Sequence, residues 1–201
     1  ALGVAQKLSH LLNAVLVASK ASRLLYDCNR PPNATSAMPT RSELIDIPGN
    51  KDLTASEKSQ RVKLFYEPFR EQLHQAMMRR ADPILVTVHS FTPVFFGKPR
   101  SLKIGVLHDA DTRLADAMLD ISNEKRDQNI KRNAPYGPED GVTHTLQEHA
   151  IAHGHLNVML EIRNDLIATD DQQNAMAKMI AKWIDQACIR LGVVGDLQCR
   201  A

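Results

Sequence analysis

Aromatic side chains make up only 4% of the 201 residues. A core of ordinary size must therefore be built from aliphatic side chains. Cysteine is also scarce. Cys28, Cys188 and Cys199 form no CxxC pair, and such an odd, scattered set excludes a disulfide framework and points to a reducing cytoplasm. Neither sign of charge dominates, with 25 Lys and Arg against 23 Asp and Glu. Short basic clusters such as Arg79–Arg80 read as solvated helix ends. Nothing suggests the clustered basic face of a nucleic-acid-binding protein. No apolar run is long enough for a membrane-spanning helix. GxGxxG, Walker and GxSxG patterns are missing, which removes the common nucleotide-binding loops and the serine nucleophile elbow.

The length and ordinary apolar content suit one domain over residues 1–201. The chain has no initiator Met and opens at Ala1 inside a helical pattern, so a segment upstream of Ala1 is expected. Residues 1–13 place Leu2, Ala5, Leu8, Leu11 and Leu12 on one helical face. Short strands are expected at 14–19 (AVLVAS) and 23–28 (RLLYDC). Residues 29–50 are rich in Pro, Asn and Ser and too long for an ordinary connection, so they are either functional or loosely ordered. Thr54 with Glu57 reads as a capping box. The helix that follows runs to about Arg80, with Pro68 kinking or splitting it.

Beyond it, residues 83–90 (PILVTVHS) form the clearest buried strand, and strands at 101–108 and 156–163 follow. A short strand and a Pro/Gly loop lie between the last two. So does a short helix ended by Gly154. A long helix over 169–192 is expected to carry Ala175, Met179, Trp183 and Ala187 as a stripe. Strands alternating with helices argue for an α/β/α sandwich around a mostly parallel or mixed sheet.

In open α/β sheets ligands bind beyond the carboxyl ends of strands. One expected strand ends in His89–Ser90. Another ends in Glu161, Arg163, Asn164 and Asp165, and a third in Asp27, Asn29 and Arg30. Parallel neighbours would bring these groups to one rim. His89 is then either a strand cap or a ligand for a divalent metal, typically zinc. Glu161 lies within an apolar strand, where a carboxylate must be paired or put to use. It is either an ion-pair partner of an arginine or a general base whose raised pKa suits water activation. Glu161 and Arg163 share a face at period two. Arg23, Arg30 and Arg163 could clamp a carboxylate by bidentate hydrogen bonds, or simply pair with Asp27, Glu161 or Asp165. His149 and His153 stand at helical i, i+4 spacing. With Glu148 ahead of the first histidine the pattern is not HExxH, and a polar helix face is the preferred reading. His144, at the start of that helix, is the better site candidate. Cys28 has no obvious activating partner.

The blocks SRLLYDCNRPP, VTVHSFTPVFFGKPR, IGVLHDADTRLA, NAPYGPEDGVTHTLQEHA and NVMLEIRNDLI occur in this order between about residues 22 and 167. Together they resemble the N-formylglutamate amidohydrolase family, which is similar in fold to zinc carboxypeptidases. The resemblance implies metal-dependent hydrolysis of the N-formyl or a similar N-acyl amide of an amino acid. It makes His89 a ligand of a divalent metal, zinc in the first place, and Glu161 the general base and proton shuttle. Arg23, Arg30 and Arg163 would hold substrate carboxylates, and Tyr136 and His144 would lie on the pocket loop. Asp27, Asn29, Ser90 and Asn164 complete the expected substrate contacts. A catalytic zinc needs about three protein ligands, so the others are expected from a block upstream of Ala1. The partner implied is a small-molecule substrate, with neither nucleic acid nor membrane; the oligomeric state is not specified. An amidase for another acylated amino acid or a cell-wall fragment stays open. So does a pocket-bearing module that binds without catalysis.

Overall fold

The computed structural model describes residues 1–124 and 129–193; Cys199 lies outside them. In chain order the helices are α1 (Leu2–Leu11), α2 (Ala55–Arg61), α3 (Glu67–Met78), α4 (Arg113–Glu124), α5 (His144–His149) and α6 (Asp170–Arg190). The strands are β1 (Arg41–Ser42), β2 (Ile45–Asp46), β3 (Leu85–Phe91), β4 (Val94–Phe95), β5 (Lys98–Pro99), β6 (Ile104–Leu107), β7 (Ile130–Arg132) and β8 (Asn157–Arg163). Two compact units result, Ala1–Leu16 with Ile84–Ala201, and Val17–Pro83.

The first unit is built on a four-stranded sheet of order β3-β8-β6-β7. β3 runs parallel to β8 and β6 parallel to β7, while β6 and β8 are antiparallel. The sheet is mixed. Alternation along β8 sorts its side chains. Val158, Leu160 and Ile162 join Ile104 and Val106 in one core with residues of α1, α4 and α6. Each such side chain, fully buried, contributes roughly 1.5–3 kcal/mol. Met159 and Glu161 take the other face, and α5 lies against β3 and β8. Helices therefore flank both faces of the sheet.

Several elements depart from the pattern reading. Residues 14–19 and 23–28 form no strand. Tyr26 and Cys28 do turn inward at period two, but a turn closed by the Leu25 and Tyr26 N–H groups on the Ser22 carbonyl replaces any ladder. Asp27, Asn29 and Arg30 thus follow a turn rather than a strand end. β3 is only partly buried, because β8 is its one partner among the described strands. On α6 the buried face is Ala177, Ile180, Ala181, Ile184 and Ala187 with Trp183, while Ala175 and Met179 are exposed. The Trp183 indole N–H donates to the Met118 carbonyl at 2.7 Å and pins α6 to α4. The register of that stripe is set by α4, which the periodicity of α6 alone does not encode.

The second unit packs Tyr26, Cys28, Ala37, Met38 and Tyr66 into a core of its own. The capping box of Thr54 and Glu57 starts α2. The long helix is split as expected. A π turn over Val62–Tyr66 separates α2 from α3, with Pro68 in the first turn of α3. The Pro/Asn/Ser-rich segment is ordered by one buried amide. Asn50 Nδ2 donates to the carbonyls of Leu24 (2.8 Å) and Pro39 (2.7 Å), and its Oδ1 accepts from Arg61 Nη1 at 2.6 Å. Replacing Asn50 by Ala removes the donor to the Leu24 and Pro39 carbonyls and one acceptor of Arg61, which still donates to the Leu25 and Gly49 carbonyls. Asn50→Ala is expected to destabilise this unit by about 2 kcal/mol, read as a lower urea midpoint; an unchanged midpoint would show that the segment is held by other means.

Candidate active site

The parallel pairing of β3 with β8 sets His89 directly beside Glu161 in register. In-register neighbours of a parallel pair lie about 4.8 Å apart and project to the same face. On the other flank of Glu161, β6 places Gly105 in register. Glu161 is only 5% exposed. A buried carboxylate, a half-buried imidazole and a position with no side chain thus stand side by side across three strands. Both His89 and Glu161 have further interactions within the protein. Thr87 lies on the same face one step before His89, and its hydroxyl is buried without a hydrogen-bond partner among the described residues.

Gly105 is required by what covers it. A Cβ at this position would collide with the carbonyl oxygen of Ala134. The loop from Asn133 to Gly137 therefore sits on the sheet beside Glu161, and it carries Tyr136. Toward the carboxyl ends of β3 and β8 the rim is closed by the hairpin β4–β5, whose Phe96–Gly97 turn has positive φ at both residues, the conformation of a tight hairpin turn. Arg100 follows this hairpin. Its guanidinium lies 4.2 Å from the Phe95 ring centre, 5.3 Å from that of Tyr136 and 5.6 Å from that of Phe91. Arg100 Nη1 donates to the Tyr136 hydroxyl at 3.2 Å.

The remaining expected residues divide. Arg163 is on the Glu161 face by alternation, but its guanidinium is engaged. Nε donates to Asp165 at 2.8 Å and Nη1 to the Arg100 carbonyl at 2.9 Å. Ser90 alternates to the opposite face from His89 and pairs with Ile162 in register. Asn164 is exposed just past β8. His144 is half-buried at the start of α5. His149, read as part of a polar face, is buried, while His153 and His155 stack with ring centres 5.9 Å apart. In the second unit Arg23 is exposed. Asp27 Oδ1 accepts from the Asn29 N–H at 3.0 Å, and Arg30 Nη1 lies 3.7 Å from Asp27 Oδ2. Arg30 Nε is a buried donor with no acceptor among the described residues. Burial pushes the Cys28 thiol up, which agrees with its reading as no nucleophile.

At the opposite end of the sheet the segment LHDADTR forms a polar network that the sequence left without a role. Arg132 Nη1 lies 2.8 Å from His108 Nε2. A guanidinium only donates, so Nε2 accepts and Nδ1 carries the proton given to the Asp109 carbonyl, 2.7 Å away. Asp109 Oδ2 accepts from Thr143 Oγ1 at 2.6 Å and Gln147 Nε2 at 2.7 Å. Burial pushes the Asp109 carboxyl up, yet hydrogen bonds from Thr143, Gln147 and the Ala110 N–H hold it below its ordinary value. Asp109 thereby ties down the start of α5, the helix that packs over the Glu161 face. Arg100, Gly105 and Asp109 were not singled out from sequence. Their significance depends on Tyr136, Ala134 and Thr143, which lie 36, 29 and 34 positions further along the chain.

No three His, Cys, Asp or Glu side chains among the described residues converge to hold a metal ion. The described residues therefore do not make up a zinc site of about three protein ligands. No helix among them is long and apolar enough to cross a membrane.

Comparison with known proteins gives the family and the fold. The family model described as N-formylglutamate amidohydrolase matches residues 2–168. A gene product of Agrobacterium tumefaciens with a crystal structure is similar at 48% identity and a TM-score of 0.92, over 96% of this chain and 77% of that one. N-formylglutamate amidohydrolase from Ralstonia eutropha JMP134 shares the fold at 15% identity and a TM-score of 0.57, over 92% of this chain and 86% of its own. No curated protein gives a significant match. Glu161 and His89 both fall inside the matched region, and the chain belongs to the N-formylglutamate amidohydrolase family, a family of hydrolases acting on an amide bond.

Proposed function

We propose that the protein hydrolyses the N-formyl, or a closely similar small N-acyl, amide of an amino acid, with Glu161 as the proton-transferring group. The observation that carries this reading is the register of β3 on β8, which sets the His89 imidazole beside a buried Glu161 carboxylate. Glu161 takes a proton from the attacking water as the oxygen bonds to the acyl carbon. It returns that proton to the amide nitrogen, the C–N bond breaks, and formate and the free amino acid leave. Such transfer by a placed side chain is worth about 10²- to 10⁴-fold. A cytoplasmic setting fits the free thiols of Cys28 and Cys188.

A divalent metal, zinc by the resemblance, belongs to this reading as a further proposal. When bound, such an ion polarises the carbonyl and acidifies water. His89 would be one ligand. The described residues do not supply a full set, so the steps above run through the chain's own groups.

Three outcomes are expected. Glu161→Gln, which preserves shape, should lower formate release from N-formylglutamate by at least about 100-fold with thermal stability retained; unchanged turnover would remove Glu161 as the base. A panel of N-formyl, N-acetyl and longer N-acyl amino acids should show the shortest acyl group cleaved best, and preference for a long acyl chain would shift the substrate class. Zinc titration followed by calorimetry should give weak binding that His89→Ala abolishes, whereas nanomolar affinity in this chain would reveal a ligand set not recognised above.

A further inference from the structure

We propose that Arg100 is the carboxylate anchor for a substrate at the Glu161 face, a specificity-determining residue rather than a catalytic one; the proposal rests on the hydrolase reading of that face. Three observations carry it.

The first is position. Phe91 lies two residues beyond His89 on the same face of β3, in register with Arg163. Tyr136 belongs to the loop whose Ala134 carbonyl covers Gly105, on the other flank of Glu161. Arg100 touches both Phe91 and Tyr136. Its guanidinium therefore lies between a ring on β3 and a ring of the loop that covers β6.

The second is orientation. Rings of Phe95, Tyr136 and Phe91 surround the guanidinium at 4.2, 5.3 and 5.6 Å. Aromatic faces hold the flat group by cation–π attraction without using its N–H donors. The Tyr136 hydroxyl takes one donor, leaving a planar fork whose geometry matches a carboxylate. The Arg100 carbonyl accepts from Arg163 Nη1, which fixes the backbone beneath it.

The third is charge. No ion pair among the described residues involves Arg100. Arg163, two residues beyond Glu161 on β8, is paired with Asp165 instead. Of these two rim arginines, Arg100 is thus the one with its charge available to a ligand. The ligand it fits is an amino-acid carboxylate, either the α-carboxylate or an acidic side chain.

The test compares wild type, Arg100→Gln and Arg100→Lys on N-formylglutamate and N-formylglutamine. Loss of a charge-assisted pair should raise KM by about 10- to 100-fold in Arg100→Gln, with kcat within about three-fold. A rise for both substrates assigns the α-carboxylate; a rise for N-formylglutamate alone assigns the side chain. Arg100→Lys keeps the charge and the apolar stem but not the fork, and should show a several-fold rise with wild-type melting behaviour. If KM is unchanged in Arg100→Lys and in folded Arg100→Gln, the proposal is wrong. Calorimetric binding of glutarate separates the two readings. If wild type cleaves neither substrate but binds glutarate, and Arg100→Gln weakens that binding at least ten-fold, the anion site stands and the hydrolase reading falls. Glutarate binding that is absent from wild type, or indifferent to Arg100, overturns the anchor itself.

Discussion

A carboxylate in the middle of a buried strand is the constraint around which the first unit is organised. β8 is buried from Asn157 to Ile162, and Glu161 sits within it. Moving an ionised carboxylate out of water costs several kcal/mol unless its surroundings compensate. The neighbouring strands answer this asymmetrically. β3 brings an imidazole alongside, while β6 brings a glycine and leaves room for a loop. A larger residue at position 105 would lift that loop and with it Tyr136. The aliphatic residues of β8 meanwhile all go to the helical face, so packing and chemistry occupy opposite sides of one strand.

The helical face explains why such an arrangement can be held. Residues of α1, α4 and α6 form a continuous apolar layer beneath β8, and Trp183 locks two of these helices together through a main-chain carbonyl. On the opposite face the short α5 lies against β3 and β8, with few hydrogen bonds of its own to fix it. Asp109 makes good that deficit by gripping Thr143 and Gln147, one turn apart. Packed helices on one side and a pinned short helix on the other hold the Glu161 face in a defined geometry.

What was legible in the sequence was what local pattern encodes. The apolar run into His89, the isolated Glu161, the Thr54 capping box and the break at Pro68 each follow from a few adjacent residues. The sheet partners of His89 and Glu161 could be anticipated from strand-end logic and prove to be one another. The segment around Asp27 misled because inward alternation at Tyr26 and Cys28 imitates a strand, although it joins no sheet among the described residues and its Asp27 N–H reaches only the Ala37 carbonyl. The stripe on α6 misled because small and flexible side chains, Ala175 and Met179, fit either a buried or an exposed surface. Arg100 was invisible as more than a basic residue, since its three aromatic neighbours come from two separate stretches of chain. Contacts that close long loops leave no local signature.

The single tryptophan has a use beyond packing. Trp183 is buried in the first unit, whereas Tyr26 and Tyr66 lie in the core of the second. Indole emission therefore reports the solvent exposure of one unit alone, and two of the three tyrosines report the other. The molecule carries a spectroscopic label in each half. Coincidence or separation of the two optical transitions in denaturant would tell directly whether the halves unfold as one cooperative body.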